Sequence, residues 1–395
     1  MFGVVLSPGS ALNNHTGSWR TETPEFVTLG APCSVSCQAG ESVREWITAL
    51  QWGQEDKAYE AWASIIRANP LPATMGRICY APCQKMCTRS ALGGSLEIQS
   101  MERVLGDFGL DREWEAPTPD NLTSFRTAVV GSGPCGLSAA HQLRQAGHQV
   151  TLFDARALPG GMLQYSISEN RLPKQVLQAE INRLLHTGIE FVPHHAIRRV
   201  TDLLDKYDGV VWAAGASMCL AIMKAETVWN QPIHTGGRSH RTCTLSIGRG
   251  RAAAIALAAH LQETEMPVTP QAPTATIDSI NTWYFNASSP TLPADQAPET
   301  EQESDVFNSD TDLGSGSVHG SLEADSALTF LGTESGRCLS CGSCFFCDNC
   351  YIACPDSAIV KSNVTYFVNG DYCKGCGICA EECPTGAITM IPVQN

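Results

Sequence analysis

The chain has 395 residues, 26 Lys and Arg against 40 Asp and Glu, a formal net charge of −14 and 43% hydrophobic residues. That size and apolar content predict two or three domains with real cores, and the acidic balance argues against a basic nucleic-acid-binding surface. No apolar run reaches the ~18 residues of a membrane helix, and the N-terminus lacks the basic and apolar regions of a secretory signal. A cytoplasmic protein is therefore expected, and in that compartment its 18 Cys point to metal rather than to disulfides.

Residues 1–22 read as a polar leader. Residues 23–120 read as a helical domain, with amphipathic spacing over 43–50 and 58–66. This block carries Cys33-x3-Cys37 and Cys79-x3-Cys83-x3-Cys87. An x3 spacing on a helix or turn brings thiolates to one face. Five cysteines suit one [4Fe–4S] cluster with one to spare, or two clusters completed by non-Cys ligands, with Glu102 as a candidate. The alternative is five buried thiols.

Residues 125–262 read as a Rossmann-type β-α-β unit. Strands are predicted over 127–130 and Gln149–Phe153, with a helix over Pro134–Gln145 between them. A helix over Lys174–His186 and strands over Ile189–Val192 and 210–213 follow. The first strand runs into Gly131-Ser132-Gly133-Pro134-Cys135-Gly136, a G-x-G-x-x-G turn. Such glycines let a pyrophosphate approach the helix N-terminus. Asp154, at the end of the second strand, stands near the distance expected for an acid that binds a ribose hydroxyl. Strand, turn, helix, strand and acid in that order favour dinucleotide binding over a chance Gly-rich turn. A second glycine pair, Gly160-Gly161-Met162-Leu163, lies where backbone can rest against a flavin. With Ala213-Ala214-Gly215 after a later strand, it favours FAD over NAD(P).

From residue 252 to 336 there is no Lys or Arg, but there are 13 acids. Most of this stretch, 263–329, is rich in Pro, Ser and Thr and reads as a flexible, self-repelling tether that lets the C-terminal module swing. Trp283, Tyr284 and Phe285 interrupt it and are expected to dock on a domain. Residues 330–395 form an α+β module in which C-x2-C-x2-C-x3-C-P occurs twice, at Cys344, Cys347, Cys350, Cys354 and at Cys373, Cys376, Cys379, Cys383. This is the spacing of two-cluster bacterial ferredoxins, in which the fourth Cys of each run ligates the other cluster. One [4Fe–4S] centre is thus assigned to Cys344, Cys347, Cys350 and Cys383, and the other to Cys373, Cys376, Cys379 and Cys354. Paired zinc ribbons give no role to the terminal C-P or the crossover. Cys338 and Cys341 form an extra C-x2-C, read as metal-binding, redox-active or idle.

The run Asn69-Pro70-Leu71-Pro72-Ala73-Thr74-Met75-Gly76-Arg77-Ile78-Cys79, followed by Ala81-Pro82-Cys83 and Cys87, resembles the N-terminal iron–sulfur domain of glutamate synthase small-subunit-type flavoproteins. So do Gly160–Leu163 with Tyr165, and Arg171-Leu172-Pro173-Lys174. The leader 14–20 and Arg337-Cys338-Leu339-Ser340-Cys341-Gly342 are similar to the ferredoxin-bearing branch, which includes the iron–sulfur flavoprotein of dissimilatory sulfite reductase operons. The resemblance implies an NAD(P)H:acceptor oxidoreductase that uses FAD and [4Fe–4S] clusters. It implies FAD contacts from Gly131, Gly133, Pro134, Gly136, Asp154, Gly160, Gly161, Met162, Leu163, Arg171, Ala214 and Gly215. The implied partner is a redox protein: a ferredoxin, a 2-oxoacid:ferredoxin oxidoreductase or a sulfite-reductase-like complex.

The chain departs from that pattern. Members of the family carry a second Rossmann domain for NAD(P)H. Here Gly215 is followed, about 30 residues later, by Thr244–Ala254, which resembles the family's last FAD-binding segment, and a nucleotide-binding unit alone needs about 30 residues or more. Arg238 stands where an Asp is usual, and Ser166, Ser168, Asn170 and Gln38 are also substitutions. Two further readings are therefore an electron-shuttle subunit without NAD(P)H oxidation, and a decayed relative in which only the ferredoxin module works.

Overall fold

The computed structural model describes residues 15–52, 55–119, 121–215, 218–223, 226–232, 242–266, 272–293, 324–363 and 365–393. Among the described residues, a short 3-10 helix (Thr16–Trp19) precedes strand β1 (Glu22–Phe26), then helices α1 (Pro32–Ser36), α2 (Val43–Ala49), α3 (Glu55–Ile66), α4 (Pro72–Ile78), α5 (Pro82–Lys85) and α6 (Ile98–Asp111). Helices α1, α4 and α5 each begin with proline. Its missing N–H is not needed in a first turn, and its fixed φ suits a helix start. Trp46, Trp62, Ile65, Met101 and Leu105 fill the helical core. Burial of side chains this large stabilises each by roughly 1.5–3 kcal/mol, which offsets the poor intrinsic stability of four- and five-residue helices.

A six-stranded sheet follows: β2 (Arg126–Val130), β3 (Gln149–Phe153), β4 (Ile189–Val192), β5 (Gly209–Trp212), β6 (Met218–Met223) and β7 (Glu226–Pro232). Its spatial order is β4-β3-β2-β5-β6-β7. The first four strands are parallel. Strands β6 and β7 form an antiparallel hairpin on the β5 edge. The hairpin occupies the stretch where a second nucleotide-binding domain was expected to be missing. Helices α7 (Pro134–Gln145), α8 (Met162–Tyr165), α9 (Lys174–His186), α10 (Thr201–Leu204) and α11 (Cys243–Leu261) complete this domain. Strands β2 and β3 are apolar on both faces, as a parallel sheet covered by helices requires.

Glu180 of α9 joins the two domains. Its carboxylate is fully buried and accepts from the backbone N–H groups of Ala73 (2.7 Å) and Thr74 (2.8 Å), the open donors at the start of α4. His141 of α7 adds a second link, with Nε2 at 2.8 Å from the Ile66 carbonyl.

Residues 272–293, expected to belong to a loose tether, instead lie across the domains. Ala275 and Ile280 are buried with Ala31, Leu339 and Cys341. Asn281 bonds the backbone of Pro384 and Glu381. Tyr284 bonds Glu382 and Phe285 packs on the same cluster, whereas Trp283 stays 89% exposed. Helix α12 (Ala324–Ser335) packs on the helical core through Ala327, Phe330 and Leu331. The C-terminal module contains α13 (Asn349–Ala353), β8 (Ile359–Lys361), β9 (Tyr366–Val368), α14 (Ile378–Glu381) and β10 (Ile388–Pro392). Strand β10 pairs antiparallel with β1, Glu22 opposite Pro392 and Phe26 opposite Ile388. The module is thus clamped to the start of the chain, and no swinging motion is built into the described contacts. Among the described residues, no helix is long and apolar enough to cross a membrane.

Candidate functional site

The C-terminal cysteines fall into two groups. Cys344, Cys347, Cys350 and Cys383 ring one small cavity with Phe26 and Tyr366. Burial, then the charges of the neighbouring thiols, pushes the Cys350 pKa up to about 12. Cys379 is pushed up to about 11 by burial and then by Cys373, Cys354 and Cys376. The fourth Cys of each run therefore stands with the other run, as the spacing predicts. The two fourth cysteines are held alike: Ala358 N–H donates to Cys354 Sγ at 3.2 Å and Ala387 N–H to Cys383 Sγ at 3.3 Å.

The N-terminal cysteines do not gather on one face. Cys33 stands with Cys87 and Cys341, and its pKa rises to about 12 through burial and then the charge of those two thiols. Cys338 is raised by burial and by Cys33, Cys341 and Cys87. Four thiols from three distant segments thus form one group. Thr88 Oγ1 lies 2.8 Å from Cys341 Sγ, and Arg44 donates to the Cys341 carbonyl at 2.7 Å. The remaining three, Cys37, Cys79 and Cys83, line a second cavity with Glu41 and Glu102. Burial raises the Glu102 pKa well above the ordinary carboxylate range, with Glu41 and Cys79 adding to it; burial pushes Glu41 to about 7. Asn69 Nδ2 donates to Glu41 (3.0 Å) and to Glu102 Oε1 (2.9 Å), which fixes both carboxyls in the cavity wall.

Two of the groups, that of Cys344, Cys347, Cys350 and Cys383 and that of Cys37, Cys79 and Cys83, surround a cavity. Among the described residues, no three His, Cys, Asp or Glu side chains converge tightly enough to hold a single metal ion. Four thiols around a small void is the donor set of a cubane cluster, and the three-thiol-plus-carboxyl cavity supplies four donors of the same reach.

The dinucleotide site is a cavity of about 470 Å³ at the C-terminal ends of the parallel strands, where open α/β sheets bind ligands. Gly131, Gly133, Pro134, Asp154, Gly161, Met162, Ala214 and Gly215 line it. A Cβ on Gly136 would sit 1.7 Å from the Gly131 carbonyl oxygen, and one on Gly161 would sit 2.7 Å from Gly133 Cα. Only glycines allow these two loops to meet, and the cradle so formed fits a dinucleotide. Asp154 also ties the turn together: its Oδ2 accepts from Ser132 N (2.7 Å) and Oγ (2.6 Å), and its Oδ1 from Arg156 N (2.9 Å). Gly160 and the buried Leu163 stand behind the wall, where Gly160 N–H bonds the Ser132 carbonyl and Leu163 O accepts from Lys174. Arg171 is not among the residues lining the cavity; it lies 3.5 Å from the Ile78 carbonyl and near Cys243, which does line it. Arg238 lies outside the described residues.

Sequence reasoning reached one contribution only through a resemblance and missed two others. Leu245, Ser246 and Arg249, within the 244–254 segment, line the cavity from the N-terminal end of α11 together with Thr242 and Cys243, which had not been singled out, and Thr242 caps that helix by accepting from Leu245 N–H at 3.0 Å. The cap residue before a long Ala-rich run was the available signal. The same helix reaches the cysteine sites: Thr244 Oγ1 lies 3.1 Å from Cys79 Sγ. The second omission is the joining of Cys338 and Cys341 to Cys33 and Cys87, for which a sequence separation of some 250 residues left no local signal.

These features define an iron–sulfur protein with a dinucleotide-binding Rossmann domain. Residues 29–114 match a family described as dihydropyrimidine dehydrogenase domain II, 4Fe-4S cluster. Residues 129–187 match an NAD(P)-binding Rossmann-like domain, and 366–389 a 4Fe-4S binding domain. The small chain of glutamate synthase [NADPH] from Bacillus subtilis is 34% identical over 198 residues, 48% of this chain and 40% of its own length. Glutamate synthase [NADH] from Schizosaccharomyces pombe is 34% identical over 208 residues, 50% of this chain and 10% of that protein. A solved structure, Mycobacterium tuberculosis FprA in complex with NADPH, aligns with a TM-score of 0.23 at 20% identity over 24% of each chain. Relatives of the glutamate synthase small-chain type thus match about half of this chain, which covers less than half of their own length.

Proposed function

We propose that this chain is an electron-transfer oxidoreductase with FAD in the Rossmann cavity, four [4Fe–4S] clusters at the four cysteine groups, and a protein redox partner at the ferredoxin module. When bound, the flavin supplies conversion between two-electron and one-electron chemistry, and the clusters supply one-electron steps. The observation that carries this reading is the continuity of the sites. Helix α11 lines the dinucleotide cavity and touches Cys79. Helix α1 bears Cys33 with Cys37 at its end, and α5 bears Cys83 with Cys87 just beyond it, so each helix bridges the two N-terminal groups. Cys341 lies three residues before Cys344. Helices α13 and α14 bridge the last two groups in the same way, through Cys350 with Cys354 and Cys379 with Cys383.

The protein's own contribution is to fix these donors, exclude water from them and orient them. Burial raises the pKa of Cys33, Cys87, Cys350 and Cys379, so cluster assembly on those thiols releases protons. Around the ferredoxin module, Phe345, Phe346, Tyr351, Ile352 and Phe367 are exposed, which supports docking of a partner there. The β6–β7 hairpin favours the shuttle form of the reading, with both donor and acceptor being proteins. The test is an anaerobic optical titration of the FAD-loaded chain with NADH, NADPH and a reduced ferredoxin in turn. Bleaching by ferredoxin alone supports the shuttle. Bleaching by a nicotinamide restores NAD(P)H oxidation, and absence of bound FAD overturns the flavin assignment.

A further inference from the structure

Three cysteines, Cys135, Cys219 and Cys243, belong to none of the four groups, and the first two stand together. Cys135 is the second residue of α7, inside the G-x-G-x-x-G turn, and Cys219 lies on β6. Their sulfurs are 3.0 Å apart and share a hydrogen bond. Both line the dinucleotide cavity. Rigid elements hold them there. The backbone of α11 at Gly250 is so close to Cys135 that a Cβ on Gly250 would sit 2.0 Å from the Cys135 carbonyl oxygen. Strand β6 is paired on both sides, with Ala221 opposite Val211 and Cys219 opposite Gln231.

We propose that Cys135 and Cys219 are a redox-active thiol pair, closed to a disulfide by a low-molecular-weight disulfide such as oxidised glutathione. Cys135 is partly exposed and Cys219 is 1% exposed, so the small disulfide meets Cys135 first. Cys135 gives up its thiol proton as its sulfur attacks one sulfur of the external disulfide, whose S–S bond breaks, and one small thiolate leaves and takes up that proton. The Cys219 sulfur then attacks the Cys135 mixed disulfide, forms the internal S–S bond and expels the second small thiol, which carries the Cys219 proton. Two protein thiols are oxidised and one external disulfide is reduced to two thiols. The second step is intramolecular between sulfurs already in contact, so it outruns a second external attack. The hydrogen bond to Cys135, and then burial, push the Cys219 pKa far up, which keeps it a thiol until Cys135 has reacted. The closed form ties the phosphate-binding turn to the hairpin across the cavity wall.

The test uses the full chain, prepared anaerobically with its iron in place. It is equilibrated with glutathione disulfide and glutathione at stepped ratios, quenched in acid, alkylated, digested and read by mass spectrometry. The expected result is a peptide pair joined through Cys135 and Cys219, reverted by dithiothreitol, with iron per chain unchanged. In Cys219→Ala, Cys135 is expected to stop as its glutathione adduct; in Cys135→Ala, Cys219 is expected to stay a thiol. The proposal is overturned if both cysteines remain alkylated at every ratio. It is equally overturned if wild-type Cys135 stops as the adduct, or if the link forms only as iron is lost.

Discussion

The N-terminal and C-terminal cysteine regions use the same local device and differ in where the rest of each site comes from. In both, two short helices carry cysteines four apart, and each helix contributes one thiol to each of two neighbouring groups. In the C-terminal module all eight thiols lie within 40 residues, from Cys344 to Cys383. In the N-terminal domain one group needs Cys338 and Cys341, brought back by α12 from the far side of the Rossmann domain. The C-terminal site is a motif; the N-terminal site exists only when distant parts of the chain are folded together.

The largest expected effect breaks that comparison at its weakest point. Replacing both Cys338 and Cys341 by Ser should remove about four iron atoms per chain and loosen the N-terminal helical core. The electron paramagnetic resonance signals of the C-terminal clusters should persist. Unchanged iron would show that the returning C-x2-C holds no cluster. Next is the clamp that returns those cysteines. Glu334 of α12, wholly buried, pairs with Arg337 and accepts from the backbone N–H groups of Glu97 and Thr291, both at 2.9 Å. Arg337→Ala leaves that carboxylate buried without its cation, at a cost of about 3–5 kcal/mol. Chemical denaturation should show the loss, and Glu334→Gln added to it should recover part of the stability.

A smaller effect is expected at the dinucleotide cradle, which belongs to neither cysteine region. Gly161→Ala puts a Cβ against Gly133 at a backbone φ of 54° and should weaken FAD retention by about 1–3 kcal/mol. Flavin released on gel filtration should rise while iron stays constant. The smallest effect concerns the seam between the helical and Rossmann domains. Burial lowers the His141 pKa to about 4, so the fold holds it neutral. Its contribution is complete above the unfolded pKa of about 6.5 and is lost as pH falls toward 4, at no more than about 1.4 kcal/mol per pH unit. Thermal melts between pH 7 and 5 should therefore fall more steeply for the native chain than for His141→Gln.

Much of this was legible in the sequence because it is local. Pro134–Gln145, Gln149–Phe153, Lys174–His186 and Ile189–Val192 follow from apolar periodicity and turn glycines, and the structure has these bounds. The crossover of Cys354 and Cys383 follows from spacing alone. What was not legible depends on non-local pairing. Strand β1 has no clear strand pattern and exists because β10 supplies its partner. Residues 272–293 read as a tether because they are polar, yet Asn281 and Tyr284 find their partners 98 or more residues away. Arg171 was assigned to the flavin by its neighbours in sequence; it does not line the cavity itself but stands near Ile78 and the lining residue Cys243.

The central claim is that four cysteine groups continue the line that begins at the dinucleotide cavity. Iron and acid-labile sulfide, counted per chain in anaerobically prepared protein, test it most directly. Four cubanes predict about sixteen of each; a plateau near eight would mean that only the C-terminal module holds clusters, and would contradict it.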